Sequence, residues 1–156
     1  LVAKNLVKLA VVERHKQTGN VGLGLLQGLG LETGAIATSI AHDSHNIIVA
    51  GVDNEDMLLA VEKIKELQGG IVITNKGQVI DQLALPIAGL MSDKPLVEVA
   101  DKLNSLRDTA LSLGVNKEEP FMTLSFMSLP VIPELKLTDK GLFSVEDFKF
   151  VPLVVE

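Results

Sequence analysis

An α+β fold is what this chain predicts, with a mixed, largely antiparallel sheet covered by two to three helices in a single domain. Three observations carry that expectation. Apolar runs of strand length follow one another through the first half, two longer stretches have helical periodicity, and some strand pairs are joined by tight turns. The 156 residues suit one ordinary domain with a real core, and 47% hydrophobic residues exclude disorder. With aromatics at 3% and neither Trp nor Tyr present, that core must be aliphatic.

Residues 5–15 read as a strand, with Val7, Leu9 and Val11 on one face by period two and Glu13 and His15 continuing that face to its end. Lys16-Gln17-Thr18-Gly19-Asn20 is a turn. From Val21 to Gly30 glycine alternates with aliphatics, which marks close backbone approach or bulges and excludes a helix. Residues 34–41 and 47–52 are two further buried strands. Asp53-Asn54 caps a helix over 55–68, with Met57, Ala60, Val61, Ile64 and Leu67 inward and Gly69-Gly70 as its stop. Ile71-Val72-Ile73-Thr74, the turn Asn75-Lys76-Gly77 and residues 78–85 form a hairpin. A second helix starts at Ser92-Asp93-Lys94-Pro95 and runs to Leu113, with Leu96, Val99, Ala100, Leu103, Leu106, Ala110 and Leu113 as its apolar face. From Pro120 the chain is apolar and rich in Met and Phe, and a polar, hairpin-like tail closes it. Leu103, Leu106, Val61, Ile64, Ile73, Ile36 and Val49 are the expected core.

Several function classes fall away on composition. A net charge of −6 and the shortage of aromatic platforms argue against nucleic acid. No apolar run approaches the ~20 residues of a membrane helix. With no cysteine there are no disulfides or thiolate ligands, which fits a cytoplasmic location. The glycine-rich stretch fails the dinucleotide-binding spacing: after Gly22 and Gly24 the third position is Gln27, and after Gly28 and Gly30 it is Thr33. The start, Leu1-Val2-Ala3-Lys4-Asn5, has no signal-peptide layout and reads as the edge of a piece of a longer chain.

The densest chemistry lies in Ala41-His42-Asp43-Ser44-His45-Asn46, a polar loop between two buried runs that holds two of the three histidines. The His42-x-x-His45 spacing brings both imidazoles to one side of a tight turn, where Asp43 could orient a ring nitrogen and Ser44 and Asn46 could add hydrogen bonds. The competing reading is a polar turn that satisfies its own backbone, and two imidazoles do not complete a metal site. His42, Asp43, His45 and Asn46 are the catalytic candidates, expected as one hydrogen-bonded cluster. Ser44, Glu13 and His15 are candidates for substrate binding, with a solvated strand end as the alternative for the last two.

Read together, these segments resemble the carboxy-terminal domain of bacterial adenine deaminases, in the amidohydrolase superfamily. The resemblance runs from about residue 10 to 143. It is carried by Glu13-Arg14-His15 with Thr18-Gly19, by Gly34-Ala35-Ile36-Ala37 with Ser39, and by the histidine loop through Val49. Leu85 to Ser92 and Pro120-Phe121-Met122-Thr123-Leu124-Ser125-Phe126 on to Thr138 complete it. It implies hydrolysis of adenine to hypoxanthine and ammonia, with manganese or iron held in a barrel domain bearing a His-x-His motif. This chain has three histidines and no His-x-His, so no metal ligands are assigned to it and none is expected to be held by it alone. The partners implied are adenine, the missing barrel, and further copies in a homo-oligomer. Residues 5–15 and 121–127 are the places expected to present an apolar surface to that barrel.

Overall fold

The computed structural model describes residues 2–154. Its main body is a six-stranded sheet built from β1 (Leu6–Val12), β2 (Val21–Gln27), β3 (Ala35–Thr38), β4 (Ile47–Gly51), β5 (Gly70–Asn75) and β6 (Gln78–Ala84). The strand order is β2-β1-β4-β3-β5-β6. Every pairing is antiparallel, so the α+β expectation holds while the mixed sheet resolves to an antiparallel one among the described strands.

One face carries α1 (Asn54–Glu66), which packs across β3, β4 and β5. Asp53 caps it by accepting the Asp56 N–H at 2.9 Å, the role its place ahead of an apolar-periodic run predicts. Asp56, buried, accepts the N–H groups of Lys76 and Gly77 and so ties the β5–β6 turn to the first turn of this helix. Met57, Ala60 and Ile64 seal against Ala35, Ala37, Val49 and Val72. Such small residues on the strands let a helix lie close.

The other face carries α2 (Leu96–Ser112), the short α3 (Pro120–Ser125) and a three-stranded meander of β7 (Leu135–Thr138), β8 (Gly141–Ser144) and β9 (Lys149–Phe150). Leu106, Ala110, Leu124 and Leu137 close this larger core over Val7, Leu9, Val11, Ile36, Ile48 and Ile73. Asp81 on β6 fastens α2 through Ser105 Oγ at 2.9 Å, Thr109 Oγ1 at 3.2 Å and the Lys102 ammonium. Burial pushes the Asp81 carboxyl up, but those donors outweigh it and hold the group below the ordinary carboxylate range.

Two core assignments need correction. Leu106, Ile64, Ile73, Ile36 and Val49 are buried, but Leu103 is 40% exposed and Val61 only partly buried. The apolar periodicity of α2 is real along its length, yet its first half is only partly seated, with Val99 against the core and Lys102 reaching Asp81 on β6. Leu96, Val97 and Leu103 stay exposed. No described helix is long and apolar enough to cross a membrane.

The glycine alternation in β2 has a direct cause. A Cβ on Gly22 would lie 1.8 Å from the Thr138 carbonyl oxygen, and one on Gly24 would meet the Leu137 side chain at 3.4 Å. The β7–β8 hairpin therefore lies directly on β2, and it brings its turn, with Asp139, to the histidine end of the sheet.

Candidate functional site

Antiparallel order gathers the end of β1, the end of β3, the start of β4 and the start of β5 at one edge of the body. The histidine loop spans β3 to β4 there. The Glu13-Arg14-His15 extension of β1 runs alongside, and the 86–91 turn after β6 closes the third side. All three histidines share this end.

Arg14 organises it. Its Nε donates to the His45 carbonyl at 2.6 Å, its Nη2 to the Ala88 carbonyl at 2.8 Å, and its backbone N–H to Asn46 Oδ1 at 3.3 Å. One rigid guanidinium thus joins the histidine loop to the 86–91 turn. Burial lowers the Arg14 pKa from its ordinary value. Beneath it Gly89 comes so close that a Cβ there would lie 2.6 Å from Nη2. Buried Ser39 fixes Gly89 in turn, its Oγ donating to the Gly89 carbonyl at 2.6 Å and accepting the Gly70 N–H at 2.8 Å.

Within the loop, His45 Nδ1 accepts the Ala41 N–H at 3.3 Å, which leaves the proton of the neutral ring on Nε2. Burial lowers the His45 pKa, and the nearby His42 and Arg14 add to the effect while Asp43 opposes it, a balance that favours the neutral ring. His42 presents its ring edge-to-face to His45 at a 5.4 Å centroid separation, with Phe126 against it at 5.1 Å. Its backbone is pinned on both sides: the N–H donates to the Ser125 carbonyl at 3.2 Å, and the carbonyl accepts Ser128 Oγ at 3.1 Å. Neither ring nitrogen of His42, and neither oxygen of the exposed Asp43 carboxylate, has a hydrogen-bond partner among the described residues.

The expected single cluster of His42, Asp43, His45 and Asn46 does not form. Asn46 turns inward, buried, and donates to Asp139 Oδ1 at 3.2 Å while accepting from Arg14. His15 Nε2 lies 2.7 Å from the Ser44 carbonyl, which can only accept, so that bond places the proton on Nε2. Glu13 is a loop anchor: its carboxylate accepts the N–H groups of Thr18, Lys16 and His15 and the Thr18 hydroxyl. The Thr18 N–H leads those bonds in lowering its pKa from 4.5 to about 2. Among the described residues the groups left open to a ligand are the His42 ring, the Asp43 carboxylate, the Ser44 hydroxyl, His15 Nδ1 and the Nε2 side of His45. Arg14, Phe126, Ser128 and Asp139 escaped the reading of the loop because they lie far from it in sequence and no local pattern marks them.

Glu13 gives a pH test. The ionised form is the one the turn binds, so its stabilisation is present above pH 4.5 and is lost as the pH falls toward 2. Glu13→Gln should flatten the dependence of unfolding midpoint on pH within that window and leave the slope above pH 6 unchanged.

Among the described residues no three His, Asp or Glu side chains are placed to hold a metal ion. His45 spends Nδ1 as an acceptor and carries its proton on Nε2, and no set of three ligands converges among the described residues, so the donor set does not fit the manganese or iron implied by the resemblance.

Fold and site together define a small α+β domain that presents a histidine loop braced by an arginine. The chain matches the family described as the adenine deaminase C-terminal domain over residues 1–149. It is 59% identical to an adenine deaminase of Petrotoga mobilis over 97% of its length. It is 56% identical to adenine deaminase 2 of Carboxydothermus hydrogenoformans and 55% identical to an adenine deaminase of Desulfatibacillum aliphaticivorans, over 96% in each case. It spans 26% of the length of each of these relatives. The chain belongs to the adenine deaminase C-terminal domain family.

Proposed function

We propose that this domain serves an enzyme that hydrolyses adenine to hypoxanthine and ammonia, and that it lends a histidine loop to the active-site mouth formed with a preceding metal-binding barrel. The observation that carries this reading is the loop itself. Its backbone is fixed from three sides, by Arg14, Ser125 and Ser128, while the His42 imidazole at its tip keeps both nitrogens free. A turn that only closed a strand connection would have no use for that bracing. The related proteins named adenine deaminase supply the substrate. Manganese or iron, held elsewhere in such an enzyme, would supply the hydrolytic chemistry, and no residue of this chain is assigned to hold it. What this chain's residues offer is a neutral His45 and an open His42, able to accept or donate a hydrogen bond at the purine edge or to pass a proton at the mouth.

A structural or oligomerisation module is the second reading. It is favoured by the inward turn of Asn46 and by Glu13 and His15 bonding within the domain. The assay that decides the function compares the full-length protein with this domain alone, both with added manganese or iron, following adenine loss and hypoxanthine formation. Turnover is expected from the full-length protein and none from the domain. Turnover by the domain, or none by a folded, metal-loaded full-length protein, overturns the proposal.

A further inference from the structure

The face of the sheet that carries α1 is only partly covered. α1 lies over β3, β4 and β5, and its N-terminal end reaches β1 through Lys8 Nζ, which donates to Asn54 Oδ1 at 2.8 Å. Beyond that bond β2 is bare. Val21, Leu23 and Leu25 alternate along it and point to this face, being 49%, 62% and 50% exposed. They stand beside Val12, Ala10 and Lys8 in the β1 register. The opposite face of the same strand holds Gly22 and Gly24 under the β7–β8 hairpin. A solvated edge strand places polar side chains outward, and here three of the four outward side chains, Val21, Leu23 and Leu25, are aliphatic, with Gln27 at the strand's end the polar one. Among the described strands the outer edge of β2 is also unpaired, and Val21–Leu26 holds no charge or proline to discourage pairing.

We infer that the β2–β1 face is where the domain preceding this one docks, a deepening that rests on the proposed function. Two observations select that occupant. The relatives are far longer than this chain, and the matched family is by description their C-terminal domain, so most of their chain precedes it. The path into the domain also runs along this edge. Asn5, just ahead of β1, accepts the Gly28 N–H on its carbonyl at 3.0 Å and the Gly30 N–H on Oδ1 at 2.9 Å, which places the incoming chain where β2 ends. A body tethered there reaches Val21, Leu23 and Leu25 with a short connection. At its far end the patch meets Val12, one residue before the Glu13-Arg14-His15 extension, so a domain seated on it borders the histidine end.

The test places single cysteines in the full-length protein at Leu23 and, as reference, at exposed Asp108 on α2. This domain has no native cysteine, and any others are first replaced. Maleimide labelling of Leu23→Cys should be at least tenfold slower than that of Asp108→Cys in the folded protein and equal to it after denaturation, at every protein concentration. Equal rates in the folded protein overturn the inference, and so does protection that disappears on dilution, since that assigns the face to a second copy. If Leu23→Cys does not fold, Leu25→Cys on the same face is labelled instead, and a rate equal to that of Asp108→Cys in the folded protein overturns the inference. The adenine assay on the same sample keeps the two proposals apart: turnover without protection removes the docking face alone, and protection without turnover removes the activity alone.

Discussion

Gly69→Ala is expected to lower the stability of this chain by about 2–6 kcal/mol, the sum of a backbone conformation closed to other residues and of overpacking. Gly69 follows α1 with φ at +124°, outside the range a Cβ tolerates. The added carbon would lie 2.2 Å from Gly89 Cα and 3.0 Å from the Leu85 carbonyl oxygen. Both neighbours are backbone, so relief requires the 86–91 turn to lift. That turn carries the Ala88 carbonyl on which Arg14 rests, and Arg14 holds the histidine loop. A methyl group at the end of α1 is thus felt across the site. Gly19→Ala is the control: φ is +75° there, but nothing lies within 4 Å of the new carbon, and the loss should be about 1–2 kcal/mol. Urea unfolding midpoints for the two variants measure the difference. Equal losses would mean that the Gly69–Gly89 contact contributes nothing.

Such contacts mark the limit of what the sequence made legible. The strands and both long helices follow from period and punctuation, which are local properties: Asp53 ahead of α1, Gly69-Gly70 behind it, and Asn75-Lys76-Gly77 between β5 and β6 fall where the chain turns. The density of glycine from 21 to 30 correctly signalled close approach, but not that β7–β8 is the approaching element, because Thr138 is more than a hundred residues away. The helix over Pro120–Ser125 is too short to show a period. Leu96, Val97 and Leu103 on α2 belong to the same apolar pattern as the buried Leu106 and Ala110, and no property of a sequence distinguishes a face covered by its own domain from one left open. The apolar surface expected on residues 5–15 lies instead on the neighbouring β2, since β1 is an interior strand. At the site, the pair His42 and His45 was legible because both sit in one loop. Arg14, which determines how that loop stands, could be assigned only once the end of β1 was seen to run beside it.

If the proposed function holds, replacing His42 or His45 with alanine in the full-length protein should lower adenine turnover by ~10²-fold or more, the scale of a lost acid–base or positioning group. The two substitutions differ in what else they disturb. The His42 ring makes no hydrogen bond among the described residues, and its backbone stays held by Ser125 and Ser128, so His42→Ala should unfold close to the parent midpoint. His45→Ala removes the acceptor for the Ala41 N–H and should lose some stability along with turnover. A loss of turnover in His42→Ala at unchanged stability therefore assigns the ring a part in the chemistry. If turnover falls only in His45→Ala and in step with stability, the loop is a structural turn. If both variants fold normally and keep near-normal turnover, the second reading stands, and the bracing by Arg14 serves the fold alone.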